Sequence, residues 1–206
     1  MPCLTPKIDL ALWCFTALMN LLPAGASPSY RAKYTRIMEG RVGRCVSIAH
    51  RAEQEGLDPL IAIAVGAYES KFDPTAKSSR GAVGVMQMTP VALKTWCSAH
   101  SIRTGAPSFD PSLYATREEI RRCDHIGAAI RYLRYVDVKA PDLCSALAMY
   151  NGGTRGSCRG RGGAYGRAVV RLMSKAHDEV VDHYRLLDVI QAHYDLDDES
   201  AECADD

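Results

Sequence analysis

Ala67-Tyr68-Glu69-Ser70-Lys71-Phe72-Asp73-Pro74 is the stretch whose reading decides the fold. It closes an apolar segment that opens at Asp58-Pro59, an oxygen-bearing N-cap followed by the residue best tolerated at the first helical position. Leu57, Leu60, Ile61, Ala64, Val65 and Tyr68 recur at helical spacing and form one apolar stripe. Ile61, Val65 and Glu69 are each four apart, so the acid lies on the ridge of that stripe. Phe72-Asp73-Pro74 ends the helix, because the residue before a proline avoids the helical region. A lone glutamate at a helix end is most often simply exposed. One held against apolar neighbours can keep its proton near neutral pH and give it to a leaving group.

Outward from this segment the chain reads as helix after helix. Thr89-Pro90 opens a second helix through Trp96 and Cys97. Thr116 and Glu119 have the spacing of a capping box ahead of Ile120, Cys123, Ile126, Ile130 and Leu133. Asp142 caps a short helix carrying Leu143, Leu147 and Tyr150, which Gly152-Gly153 stops. Val169 to about Tyr194 reads as one or two further helices, and only Val83–Gln87 has the look of a short extended piece. Residues 152–166 contain seven glycines with Arg155, Arg159 and Arg161 among them, a flexible cationic loop by composition. The expected class is mostly α, in one globular domain, since 206 residues suit a single core.

Leu10 to Leu22 is an almost unbroken apolar run, preceded by Lys7 and followed by the small-x-small sequence Ala24-Gly25-Ala26. It is too short to span a bilayer comfortably, and residues 1–26 read as a secretory signal peptide. A buried core helix and an uncleaved anchor are the alternatives, since Asp9 and a single lysine make a weak leading region. Removal of the leader takes Cys3 and Cys14 and leaves six cysteines: Cys45, Cys97, Cys123, Cys144, Cys158 and Cys203. In an oxidising compartment these allow up to three disulfides in 15 pairings. Placement on neighbouring elements favours Cys97 with Cys123 and Cys144 with Cys158. No Cys-x-x-Cys occurs and the six histidines are scattered, which argues against zinc.

Charge is uneven along the chain. Residues 195–206 hold seven acids and no base, while residues 27–194 carry 24 bases against 16 acids. A cationic body suits a polyanionic partner such as a bacterial wall, an anionic membrane or nucleic acid, and it is equally the surface of an ordinary soluble domain beside an acidic tail. Nucleic acid is not the expected partner. Arginine-glycine segments that bind RNA are usually longer and lie in disordered tails.

Three motifs occur in order. The first is Glu69-Ser70-x-Phe72-x-Pro74-x-Ala76-x-Ser78 continuing into Gly81-Ala82-x-Gly84-Val85-Met86-Gln87. The second is Ala148-Met149-Tyr150-Asn151-Gly152-Gly153, and the third is Tyr165 with Val169. Together they resemble the catalytic domain of the soluble lytic transglycosylases (SLT), related to goose-type lysozyme, over residues 44–176. The resemblance implies a lysozyme-like, mostly helical domain with a substrate cleft. It frames the chain as leader 1–26, N-terminal segment 27–43, catalytic domain 44–176, C-terminal helix 177–194 and acidic tail 195–206. One departure is Gly152, where the family often has alanine; another is the glycine-arginine loop before Tyr165.

The same resemblance implies an exported enzyme that cleaves peptidoglycan strands between N-acetylmuramic acid and N-acetylglucosamine, without a cofactor or metal, as a monomer. Glu69 is the implied acid and then base, the substrate's acetamido group assists, and the muramic-acid C6 hydroxyl is the nucleophile. Ser70 and Gln87 are implied hydrogen-bonders in the cleft, and Met86 its apolar wall. Tyr150 and Asn151 would line the sugar site, and the Tyr165 hydroxyl would orient Glu69. Met86, Tyr150 and Tyr165 have core roles as their alternatives. A secretion, transfer or phage-entry assembly is the candidate protein partner. A hydrolase on the same scaffold and a non-catalytic wall-binding protein are the rival functions.

Overall fold

The structure, a computed structural model, describes residues 9–194, with side chains described through Tyr184. Nine α-helices are present among these residues: α1 Leu10–Met19, α2 Pro28–Gln54, α3 Pro59–Ser70, α4 Pro90–Trp96, α5 Ala99–Thr104, α6 Arg117–Arg122, α7 His125–Lys139, α8 Leu143–Gly152 and α9 Gly163–Tyr194. Extended structure among the described residues is limited to bridges from Val83 to Lys77 and to Met88. The mostly α class is therefore observed. No described helix is long and apolar enough to cross a membrane.

α3 is the centre of the molecule. Every residue from Ile61 to Ala67 is buried, so the helix is enclosed on all sides rather than along one stripe. Helices α1, α2 and α9 pack directly on it, and α7 and α8 extend the same core. Its C-terminal turn is unusual, because Lys71 and Phe72 both take left-handed backbone angles, φ +54° and +59°. Non-glycine residues adopt this region at a cost of order 1 kcal/mol or more, so the surroundings must hold them there. Two arginines of α2 do so. Arg44 donates to the Phe72 carbonyl at 2.8 Å, and Arg41 donates to the Lys71 carbonyl at 3.0 Å while pairing with Asp73 at 2.9 Å. The Phe72 ring then folds back, fully buried, against Gly66, where a Cβ would stand 2.5 Å from it.

Several elements differ from the sequence expectation. The helix expected to run from Thr116 through Leu133 is broken at Cys123, which is extended. Asp124 caps a new helix there by accepting from the Ile126 and Gly127 amides. The capping box of Thr116 with Glu119 is formed as read. α9 is one helix and starts at Gly163, six residues before Val169. The run 27–43 belongs to the long helix α2. The acidic segment 195–206, with Cys203, lies outside the described residues.

The apolar run read as a leader forms the helix α1. Trp13, Cys14, Ala17 and Leu18 of α1 are buried, and α1 packs against α2, α3 and α9. Asp9 caps the helix through the Ala11 and Leu12 amides, and Tyr34 of α2 donates to the Leu18 carbonyl at 2.8 Å. Cys14 is bonded to Cys45, a pairing that counting Cys14 out with the leader had removed. The buried-helix alternative fits this placement, because removing residues 1–26 would bare the faces of α2, α3 and α9 and leave Cys45 without its partner. The other two disulfides, Cys97–Cys123 and Cys144–Cys158, are the expected ones.

The Cys14–Cys45 bond closes a loop across 31 positions of sequence. Loop-closure entropy gives such a bond roughly 4 kcal/mol of stability. Cys14→Ser is expected to lower the unfolding free energy by about that amount, and peptide mapping without reductant should recover Cys14 linked to Cys45. A mature protein beginning after Ala26 with a free Cys45 thiol would show instead that α1 is not part of the working fold.

Candidate active site

Glu69 sits in the last turn of α3, where the buried helix meets a groove. Two connected cavities form this groove. One of about 230 Å³ is lined by Glu69, Ser78, Gln87 and Met88, among others. The second, about 440 Å³, contains Trp96, Phe109, Tyr135 and Arg161. Arg80, Thr89, Ala92, Tyr132, Tyr150 and Asn151 line both. Among the described residues Glu69 is the only acid lining either cavity.

Burial pushes the Glu69 carboxyl up to about 7, against an ordinary value of 4.5, and Tyr165 pulls it back to a lesser degree. Tyr165 comes from the first turn of α9 and packs edge-on against Tyr68, with ring centroids 5.3 Å apart. Its buried hydroxyl lies beside Glu69 but makes no hydrogen bond of full geometry. Burial, then the neighbouring Glu69, raises the Tyr165 and Tyr150 phenols well above their usual range, so both stay protonated.

The loop 77–88 forms one wall, and the hydroxyls around it hold the scaffold. Ser70 Oγ donates to the Val85 carbonyl at 2.7 Å and accepts from the Asp73 amide. It ties the end of α3 to the loop and does not line the groove. The Tyr150 hydroxyl donates to the Met86 carbonyl at 2.7 Å, so its ring lines the groove while its oxygen anchors the loop. Met86 itself is 2% exposed and lines neither cavity, which makes it core rather than wall. Met88 takes the wall position that the sequence reading gave to Met86. Gln87, at φ +49°, donates from Nε2 to the Gly84 and Ala76 carbonyls and lines the cavity beside Glu69. Asn151 is exposed at the junction of the two cavities.

The structure thus brings Glu69, Gln87, Tyr150 and Asn151 to the groove, sets Tyr165 behind Glu69, and withdraws Ser70 and Met86 into the scaffold. Sequence reading missed Arg80, Trp96, Tyr132 and Arg161. Trp96, Tyr132 and Tyr150 form a ladder with ring centroids 5.2 and 5.1 Å apart, and the Tyr132 hydroxyl donates to the Met149 carbonyl. Asp73, the nearest acid by sequence, is engaged elsewhere. Hydrogen bonds from Thr75, and then Arg41, hold its carboxyl below the usual range. Among the described residues one cluster has potential metal ligands, Asp142 with Cys144 and Cys158, but those two sulfurs are bonded to each other.

The transglycosylase SLT domain family matches residues 47–166, more than half of the chain, and the protein belongs to that family. No curated protein matches it. Membership implies lytic-transglycosylase-type activity on peptidoglycan in general. The disulfides and a peptidoglycan-acting domain together point to an exported protein.

The raised Glu69 value has a stability consequence. The folded carboxyl keeps its proton to about pH 7, whereas the unfolded chain releases it near 4.5. Between these values the folded state binds the extra proton, so stability declines as pH rises and the full cost is present above pH 7. After allowing for partial solvent screening the cost is roughly 1–2 kcal/mol. Glu69→Gln should therefore raise the melting temperature at pH 8 by a few degrees and leave it unchanged at pH 4.5. Equal shifts at both pH values would contradict a desolvated carboxyl.

Proposed function

We propose that this chain is an exported peptidoglycan lytic transglycosylase that uses Glu69 as its single acid and base. The observation that carries the reading is Glu69 itself, the one acid among the described residues lining the groove, with its carboxyl at about 7. Protonated Glu69 gives its proton to the oxygen leaving N-acetylmuramic acid C1, and the β-1,4 bond to N-acetylglucosamine breaks. The acetamido group of the same sugar supports the electron-poor C1. Glu69, now ionised, takes the proton of the C6 hydroxyl, whose oxygen bonds to C1 and closes the 1,6-anhydro ring. Tethering that nucleophile within one sugar gives it a high effective concentration, so no second carboxylate is needed to activate water. A carboxyl near 7 can play both parts, since neither protonation state is costly at neutral pH.

The remaining roles follow from position. Tyr165 supplies a hydroxyl that tightens on Glu69 once it is ionised, and Gln87, Tyr150 and Asn151 contact sugar. We propose that one copy of the chain suffices, because the groove is built within one chain. Delivery to the wall falls to the body's positive charge or to a secretion, transfer or phage-entry assembly.

Purified chain and Glu69→Gln should be incubated with isolated sacculi and the products weighed by mass spectrometry. Anhydromuramoyl ends are expected from the parent alone, with initial rates falling as pH rises through about 7 because the acid form is lost. Tyr165→Phe should slow the reaction by roughly tenfold, the order of one charge-assisted hydrogen bond. Reducing ends would make the protein a hydrolase. Binding without cleavage by the parent would make it a wall-binding module.

A further inference from the structure

The loop 152–166 is not the flexible segment its composition suggests. Cys144–Cys158 staples it to α8, the Cys158 amide donates to Ser145 Oγ, and Arg167 donates to the Cys158 carbonyl. Its glycines are where backbones touch. A Cβ at Gly156 or Gly162 would stand 2.3 Å from the Ala148 carbonyl oxygen, and one at Gly163 would stand 2.2 Å from that of Cys158. No side chain fits at these positions, so the loop lies flat on α8.

Held this way, the loop delivers Arg161 to the wider cavity. Arg161 crosses directly over Gly152, whose added Cβ would meet the Arg161 Cγ at 3.1 Å and its backbone at 3.3 Å. Glycine at 152, where the family often has alanine, thereby makes room for the arginine. Arg80, from the loop 77–88, lines the same cavity. Among the described residues neither arginine has an ion-pair or side-chain hydrogen-bond partner, and the wider cavity holds no acid. Two unpaired guanidinium groups beside an aromatic ladder form a site for a sugar that carries carboxylate.

We propose that Arg161, seated over Gly152 by the stapled loop, and Arg80 bind carboxylate carried by the muramic acid residues of the strand and so set the enzyme's substrate preference. This rests on the peptidoglycan reading above. The carboxylate has two sources, the stem peptide of an intact strand or the lactyl group of a strand freed of its stems.

The test compares the parent with Arg161→Gln, Arg80→Gln and Gly152→Ala, each first checked for an unchanged melting temperature. Three substrates are used: intact sacculi, sacculi stripped of stems by an amidase, and sacculi whose carboxylates have been converted to amides. On intact sacculi, where the lactyl carboxyl is tied up in its amide bond to the stem, each variant should lose roughly two- to fivefold in initial rate if the stem supplies the carboxylate, the range of a partly exposed charge contact. Amidation should bring the parent down to the rate of Arg161→Gln and leave that variant where it was. On stripped sacculi, where the lactyl carboxylate is freed, a loss assigns the lactyl group, and parent-like rates there beside a loss on intact sacculi assign the stem. Parent-like rates for the variants on both intact and stripped sacculi would overturn the proposal, as would the same fold-loss on amidated sacculi. If the parent makes no anhydro ends the enzymatic reading fails separately. The carboxylate site is then decided by retention of the Glu69→Gln chain on intact and amidated sacculi. Loss of retention with Arg161→Gln, on intact sacculi only, supports it, and unchanged retention overturns it.

Discussion

The last turn of α3 is the constraint on which the site depends. A helix with seven consecutive buried residues must deliver its final side chains at the border between core and solvent. Glu69 lands on that border, with Tyr68 outward and Ser70 toward the loop. The chain must then turn away at once, and it does so through two left-handed residues that are not glycine. Arg41 and Arg44 make this possible by accepting the strain of Lys71 and Phe72 into a hydrogen-bonded clasp with α2. The half-burial of Glu69, and therefore its raised proton affinity, is a consequence of where that turn is held.

The same economy governs the opposite wall. Ser70 and Tyr150 spend their hydroxyls on the adjacent Val85 and Met86 carbonyls, so the C-terminal part of the loop 77–88 is fixed to two helices. Gln87 closes the loop on itself through Gly84 and Ala76. What faces the groove beside this bracing includes ring faces, two amide side chains, one carboxyl and two arginines. A polar residue within a motif can thus be required for the site without ever meeting the substrate.

Much of this was legible in the sequence, for reasons that can be named. Asp58-Pro59 and the Thr116–Glu119 box set helix starts because capping is a local interaction, and local interactions are written in adjacent residues. Two of the three disulfides were legible because their cysteines sit on neighbouring elements. The third was not, because an apolar run with a small-residue flank satisfies the pattern of a leader and the pattern of a core helix equally well. In the structure this run is the helix α1, packed on α2, α3 and α9. Met86 and Met88 show the same limit at the site. They alternate along the loop, and the choice of which faces the groove belongs to the tertiary arrangement. The glycine-rich loop was misjudged because composition cannot tell glycine used for freedom from glycine used for contact.

The position of Asp73 bears on why one carboxyl would suffice in the proposed reaction. It lies four residues past Glu69, and a charged neighbour turned into the groove would raise the Glu69 value further and keep it from ionising in the second half of the proposed reaction. Instead Thr75 and Arg41 face Asp73 toward α2 and keep it ionised at the surface. The shift at Glu69 is then set chiefly by burial, and burial changes as a strand fills the groove. A bound sugar excludes water and favours the proton at the moment it is to be given. Once the carboxyl has ionised, the buried Tyr165 hydroxyl is the group placed to receive the charge. In the proposed reaction the acid and the base are the same atoms in two environments, and the substrate makes the difference between them.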